Sequence, residues 1–306
     1  MKNYKLKIII FFGIISAILL LPKISLATIN LSSGYWSSTL NCPDWTQVVG
    51  WPTYNFCDGL DSGGDHASGE GHVESVTASA NNPSGSGGKG ILHWASPSRY
   101  AQSSGFKLGF VSDPSELWVR MYVSYQPGFQ WGITGFSAEC KCIYTFPSSG
   151  GGTIWNFAWG NRAGFQSQCC NNPNWLGTAG IGWPVMHSSG ISDGSWHYVE
   201  IHLKMDTNGA DGIAEYWIDG VNGLSMTGLD FDTRGVWHHI EFFGNCLAAN
   251  IPSEYWVHID DMAIATPAWA GPWQYDAQGR KMIGLLTGGS PFDTTPPAAP
   301  SGVTVQ

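Results

Sequence analysis

The sequence predicts an all-β protein: an antiparallel two-sheet β-sandwich of the jelly-roll kind, with an irregular, disulfide-bearing N-terminal segment. Three observations predict it. Strand-like runs recur from residue 72 onward, at 72–80, 90–95, 105–110, 116–125, 140–146, 153–159, 196–205, 213–219, 237–244 and 256–266, most of them separated by Gly, Pro, Asn or Ser clusters. No part of this region holds a 3.6-residue apolar period over a useful length. The composition favours strands and turns, with 40 Gly, 16 Trp, 11 Tyr and few helix formers. At 306 residues and 43% hydrophobic content, the chain can bury a sizeable core in one large domain plus tails, or in two small domains.

The N-terminus reads as a targeting segment. Lys2, Lys5 and Lys7 form a positive head, Ile8 to Leu21 is free of charge, and Pro22 ends the run. Ser25-Leu26-Ala27 then offers small residues around a cleavage site, so 1–27 is expected to be a secretory signal peptide. The apolar run is shorter than the ~20 residues a spanning helix needs. No later stretch is long enough to span, so no membrane span is expected in the mature chain. Localisation is expected to be extracellular, periplasmic or at the cell surface.

Residues 28–70 show little alternation and many turn residues, and are expected to be irregular. Export would place all seven cysteines (42, 57, 140, 142, 169, 170 and 246) where disulfides persist. Cys42 and Cys57 are close and flanked by turn residues, so they pair first. The other five allow two more bridges and one free thiol, with connectivity open. Cys140-Lys141-Cys142 and Cys169-Cys170 do not match zinc-knuckle spacing, so no metal is expected there. The acidic, Gly-rich run from Asp58 to Asp65 offers oxygen ligands of the kind Ca²⁺ takes. Full EF-hand spacing is absent, and an ordinary solvated loop is the stronger reading. No cofactor is assigned; Ca²⁺ is the one candidate.

The jelly-roll domain is expected over 71–290. Residues 291–306 carry Pro296, Pro297 and Pro300 and read as an extended linker. This stretch resembles the opening of a fibronectin type III module.

Charge narrows the partners. The leader holds four of the 14 bases and no acid, so the remainder has ten bases against 23 acids, a net charge near −13. Nucleic acid is therefore not expected as a partner, because phosphate binding needs a basic surface.

Alternation along three strands marks a candidate site. In 116–125, Leu117, Val119, Met121 and Val123 form an apolar face opposite Trp118, Arg120, Tyr122 and Ser124. In 196–205, Val199, Ile201 and Leu203 oppose Tyr198, Glu200, His202 and Lys204. In 237–244, Ile240 and Phe242 oppose Trp237, His239, Glu241 and Phe243. Sugars present C–H faces that stack on aromatic rings and hydroxyls that bond to Glu, His, Lys and Arg. The three polar faces are expected to line one groove for a polysaccharide. Arg120, Tyr122, Tyr198, Glu200, His202, His239 and Glu241 are the candidate catalytic residues, and Trp118, Lys204 and Trp237 the candidate substrate-binding ones. His238 and His239 point to opposite faces of a strand and make no metal pair.

Trp196 to Lys204, Asn208 to Gly212 and Glu215 to Gly220 together resemble the central hairpin of concanavalin-A-like jelly rolls, most closely the secreted polysaccharide-lyase-like branch. Leu117 to Val123 and Val257 to Ala265 fit the same pattern. The fold hosts hydrolases, lyases, lectins and adhesion modules. The Glu-x-Asp-x-x-Glu motif of laminarinase-type hydrolases is absent. Glu200-Ile201-His202 loosely resembles the Gln-Ile-His element of alginate lyases, with Glu in place of Gln, and the terminal Tyr-Phe-Lys motif of those enzymes is missing. The resemblance implies β-elimination of a uronate glycan, with Arg120 holding the carboxylate and Tyr122, Tyr198 or His202 moving the proton. A non-catalytic carbohydrate-binding or adhesion module, and a glycoside hydrolase using Glu200 and Glu241, are the alternatives.

Overall fold

The computed structural model describes residues 28–38, 48–49, 73–77, 89–95, 106–127, 140–148, 153–158, 162–167, 191, 193–231, 235–244 and 255–284. The expected leader, the Asp58–Asp65 loop, Cys42, Cys57, Cys169, Cys170, Cys246 and the Pro-rich tail lie outside them. Among the described residues the strands are β1 (Thr28–Ile29), β2 (Tyr35–Ser38), β3 (Val48–Val49), β4 (Val73–Thr77), β5 (Lys89–Ala95), β6 (Phe106–Phe110), β7 (Glu116–Tyr125), β8 (Cys140–Pro147), β9 (Thr153–Ala158), β10 (Arg162–Ser167), β11 (Trp196–Lys204), β12 (Gly212–Ile218), β13 (Val221–Leu229), β14 (Trp237–Gly244), β15 (Tyr255–Ala265), β16 (Trp273–Tyr275) and β17 (Lys281–Ile283). Among the described residues there is no helix, and hence none long and apolar enough to cross a membrane.

The strands make two large sheets and one small one. A seven-stranded sheet runs β10-β9-β8-β14-β6-β1-β3. An eight-stranded sheet runs β13-β12-β11-β7-β15-β5-β4, with β2 also pairing β15. Pairing is antiparallel except where β1 lies parallel to β6. Strands β16 and β17 form a separate hairpin. The segment expected to be irregular thus contributes to both large sheets, through β1 and β3 on one side and β2 on the other.

Alternation builds the core. On β7, Leu117, Val119, Met121, Val123 and Tyr125 are fully buried, and Val199, Ile201 and Leu203 of β11 continue that layer. Ala214, Tyr216 and Ile218 of β12 and Ile259, Met262 and Ile264 of β15 join it, facing Leu108, Ile143, Ile240 and Phe242 of the other sheet. Each fully buried large aliphatic side chain contributes roughly 1.5–3 kcal/mol, so this shared layer is the principal force holding the sheets together.

Among the register shifts, those in β15 and β14 change which side chains face the core. Between Asp260 and Ala263 of β15 the register shifts, so Ile259 and Met262 both face the core although three positions apart. Between Trp237 and His239 of β14 the same happens, and Trp237 joins Ile240 and Phe242 in the core. The β12–β13 turn is Asp219-Gly220, both at positive φ (50° and 76°), as a two-residue hairpin turn requires.

Candidate functional site

The structure brings seven of the ten candidate residues to the outer face of the eight-stranded sheet. Strands β7 and β11 are antiparallel neighbours, with Trp118 opposite His202, Arg120 opposite Glu200 and Tyr122 opposite Tyr198. Lys204 lies opposite Glu116 in the next row. Trp237, His239 and Glu241 belong to β14, in the other sheet. A single groove lined by all three strands is therefore not formed. Alternation assigns a residue to one of two faces of its strand, but not to one of two sheets.

The face formed by β7 and β11 is largely covered. The β16–β17 hairpin lies over it, and three of its side chains bond to hairpin backbone. Trp118 Nε1 donates to the Lys281 carbonyl at 2.9 Å. Arg120 donates to the carbonyls of Ile283 at 2.8 Å and Gly284 at 3.4 Å. Glu200 Oε1 accepts the Ile283 N–H at 2.7 Å. Nearby, Trp217 Nε1 donates to Asp276 Oδ2 at 2.8 Å, and Arg280 Nε donates to the same oxygen at 2.6 Å. Ile283 and Trp273 complete a small apolar cluster with Trp118, Ala263, Ala265, Trp269 and Tyr35. Consequently Arg120 is 5% exposed and Glu200 0%. Arg120, expected to hold a substrate carboxylate, is occupied by carbonyl oxygens of its own chain.

His202 is equally committed. Its Nδ1 lies 2.8 Å from Glu215 and its Nε2 2.9 Å from Glu116, and its ring stacks on Trp118 at 4.0 Å. Ser225 donates to the second oxygen of Glu215 at 2.6 Å. Burial lowers the His202 pKa, but hydrogen bonds to two carboxylates and their charges outweigh it, and the net shift is upward. Both ring nitrogens of His202 are taken by carboxylates, leaving none to carry a substrate proton. Lys204 is paired with Asp211 at 3.2 Å. Burial pushes Glu200 up to about 7, against the charge of Arg120, the Ile283 N–H and the charge of His202.

Tyr122 and Tyr198 remain half-buried, with ring centroids 5.7 Å apart. Burial raises both pKa values, and for Tyr198 the charges of Glu200 and Asp219 raise it further. They are phenols that can donate a hydrogen bond, not ready bases.

Trp237 is 1% exposed and packs among the core side chains. The bulge beside it turns its ring inward, so it cannot contact a substrate on an outer face. Glu200 and Glu241 stand in different sheets with the core between them. A glycosidase pair must flank one bond, so these two do not form one.

The outer face of the seven-stranded sheet carries a different group. Ile143 and Thr145 of β8 are fully buried, so Tyr144 and Phe146 take the opposite side of that strand. Their rings lie 3.8 Å apart, and Phe146 stacks on His239 at 4.3 Å and 16°. His239 is opposite Phe146 on one flank and Gly109 on the other, a residue without a side chain. Glu241 occupies the next row, opposite Tyr144 of β8 and Lys107 of β6. His238 Nδ1 lies 3.0 Å from Asp113 at the strand's start. Phe146 and His239 are partly exposed. Tyr144 and Phe146 were missed from sequence, although the alternation of Ile143, Tyr144, Thr145 and Phe146 marks them. Among the described residues, no group of three or more His, Cys, Asp or Glu is arranged to hold a metal ion.

No protein-family model matches the chain, and no curated protein sequence matches it. Solved structures overlay loosely. The alginate lyase Aly36B does so with TM-score 0.40 and 16% identity, over 65% of this chain and 82% of the lyase. Cip1, a cellulose-induced protein, gives TM-score 0.44 and 16% identity, over 64% of this chain and 86% of its own. An endo-β-1,4-glucuronan lyase from the fungus Trichoderma reesei gives TM-score 0.44 and 13% identity, over 64% and 87%.

Proposed function

We propose that the protein is carbohydrate-active and receives a polysaccharide across the outer face of the seven-stranded sheet, over Phe146 and His239. The observation that carries this reading is the ring ladder of Tyr144, Phe146 and His239, partly exposed at its His239 end. Flat rings with a polar tip suit the alternating C–H faces and hydroxyls of a sugar chain. The opposite outer face offers similar residue types, but its centre is filled by the chain's own hairpin. The expected leader would deliver the protein to polymers outside the cell.

The finer reading is β-elimination of a uronate-containing glycan. It needs a cation at the carboxylate, a base for the proton next to it and an acid for the leaving oxygen. His239 is the proton carrier in this reading. A polyuronate is thus the first substrate to try.

Retardation in gels cast with polyuronate or neutral polysaccharide tests binding, and absorbance of unsaturated uronate products tests cleavage. Retardation by polyuronate, abolished in Phe146→Ala, supports the site. Unsaturated product that disappears in His239→Ala supports the reaction. Binding without any product leaves a carbohydrate-binding module, and full retardation of both variants removes the proposal.

A further inference from the structure

Among the described residues, β16 and β17 pair only with each other. What holds them to the sandwich is local: hydrogen bonds from Trp118, Arg120, Glu200 and Trp217, the Lys281 ammonium 5.7 Å from the Trp118 ring, the Arg280 charge near Glu215, and an apolar cluster separate from the main core. An element held this way can open without unfolding the sheets beneath it.

What lies beneath is poorly satisfied. Glu200 is completely buried, yet accepts one hydrogen bond, and its Oε2 has no partner. An ionised carboxylate has about four acceptor sites to fill. Arg120, its register partner, turns both terminal nitrogens to the Ile283 and Gly284 carbonyls, and its Nε has no partner. The hairpin therefore takes the hydrogen bonds with which this guanidinium and this carboxyl would otherwise meet each other.

We infer that β16–β17 is a strap that docks on the eight-stranded sheet when Glu200 is protonated and lifts when Glu200 ionises, Arg120 then being released to pair with it. A neutral carboxyl is buried at modest cost, whereas a charged one with an unpaired oxygen is not. Lifting hydrates Oε2 and frees the guanidinium. The two states differ in one exchange: Arg120 binds the strap's carbonyls, or it binds Glu200. The opened face would present Trp118, Arg120, Glu200, His202 and Trp217.

Charged and titratable groups surround Glu200 on every side. Arg120 faces Glu200 from β7, and His202 lies on the same side of β11 between Glu116 and Glu215, which shift its pKa upward against burial. Tyr122 of β7, Tyr198 of β11 and Tyr35 of β2 feel the Glu200 charge, and all three have raised pKa values, so they stay neutral. Trp217 faces it from β12, and the strap contributes the Ile283 N–H, with Arg280 and Lys281 further along. Asp261 in the β15 bulge, Asp260 beside it opposite Tyr122, Asp219 just past β12 and Asp276 of the strap, bonded to Trp217, are the further acids around this row. Docking couples to proton uptake between the ordinary glutamate value of 4.5 and about 7. Across that window the docking constant falls about tenfold per pH unit, ~10²-fold in all.

Hydrogen exchange of the full chain, followed on peptides from 267–284 and from β7 and β11 between pH 5 and 8, tests this. After correction for the intrinsic rate, strap protection is expected to fall ~10²-fold while β7 and β11 keep theirs, and Glu200→Gln is expected to flatten the profile. A flat wild-type profile, a parallel loss in β7 and β11, or an unchanged pH response in Glu200→Gln overturns it. Should that variant fail to fold, the infrared stretch of a protonated carboxyl in the wild type decides. It should be present at pH 5.5 and lost by pH 8, and its absence at pH 5.5 contradicts the strap. This outcome is independent of whether a glycan binds the other sheet.

Discussion

Arg120 and Glu200 face each other across β7 and β11, and both bond to the backbone of one residue, Ile283, the guanidinium to its carbonyl and the carboxyl to its N–H. The pair holds both backbone polar groups of one residue, in two successive peptide units, and fixes the position of β17. A charged pair expected to meet substrate instead holds the chain's own C-terminal hairpin.

Replacing Arg120 with Leu should therefore cost stability before it costs binding. It leaves two carbonyls unpaired at a buried site and removes the cation beside Glu200. A loss of about 3 kcal/mol in urea unfolding is expected, in the range for breaking one side of a buried charged contact. Polysaccharide retardation of the folded fraction should be unchanged. Full stability with lost binding would return Arg120 to the substrate.

His202 makes the same kind of prediction nearer the edge of the hairpin. His202→Leu leaves Glu215 and Glu116 facing an apolar side chain. Destabilisation of about 3 kcal/mol at neutral pH is expected. Lowering the pH should shrink the deficit as the acids protonate. A deficit that does not change with pH would mean that Trp118 stacking, not charge, is what His202 supplies.

Stability should decline on the alkaline side. His202 and His197 each lie between two carboxylates, His197 at 2.7 Å from Asp219 and 3.1 Å from Asp193. Burial lowers both pKa values, but their acids raise them more. A raised folded pKa gives stability that is fully present below the ordinary value of 6.5 and is lost as pH rises through the folded value. Glu200 acts in the same direction from 4.5 to about 7. Glu215 and Asp193 are shifted down despite burial, so their contribution is lost on acidification. Urea midpoints should peak near pH ~5–6 and fall toward alkaline pH. A midpoint that climbs steadily to pH 8.5 would be inconsistent with these pairings.

Gly34 joins the N-terminal strand to the start of the hairpin. Its φ is 80°, a Cβ there would land on the backbone of Ala268 and Trp269, and its carbonyl accepts the Thr266 N–H at 2.8 Å. Gly34→Ala should cost about 2–3 kcal/mol. It should also raise exchange in 267–284 more than in β7. Equal stability would mean that this crossing is looser than drawn.

Much of the fold was legible from alternation. All ten expected strands are present, and 116–125 and 237–244 have the expected bounds. The missed strands had little pattern to read. β13 is an edge strand, half-buried or exposed except at Leu229, and its Asn, Gly, Ser and Thr break up any apolar period. β1, β2, β3, β16 and β17 are two to four residues long, and β10 (Arg162–Ser167) offers only Ala163 and Phe165 as apolar positions. The site was less legible, for two physical reasons. Alternation could not show that β14 enters the other sheet, nor that a bulge turns Trp237 inward. Nor could it show that a distant hairpin covers Arg120 and Glu200, although Trp269, Trp273 and the turn at Asp276–Arg280 were available as signals.

The most direct test of where polysaccharide binds is exchange protection on adding a saturating oligouronate to the full chain. Protection gained in β8 and β14, around Phe146 and His239, and not in β7 or β11 is the expected result. Protection confined to β7 and β11, with β8 and β14 unchanged, would contradict it.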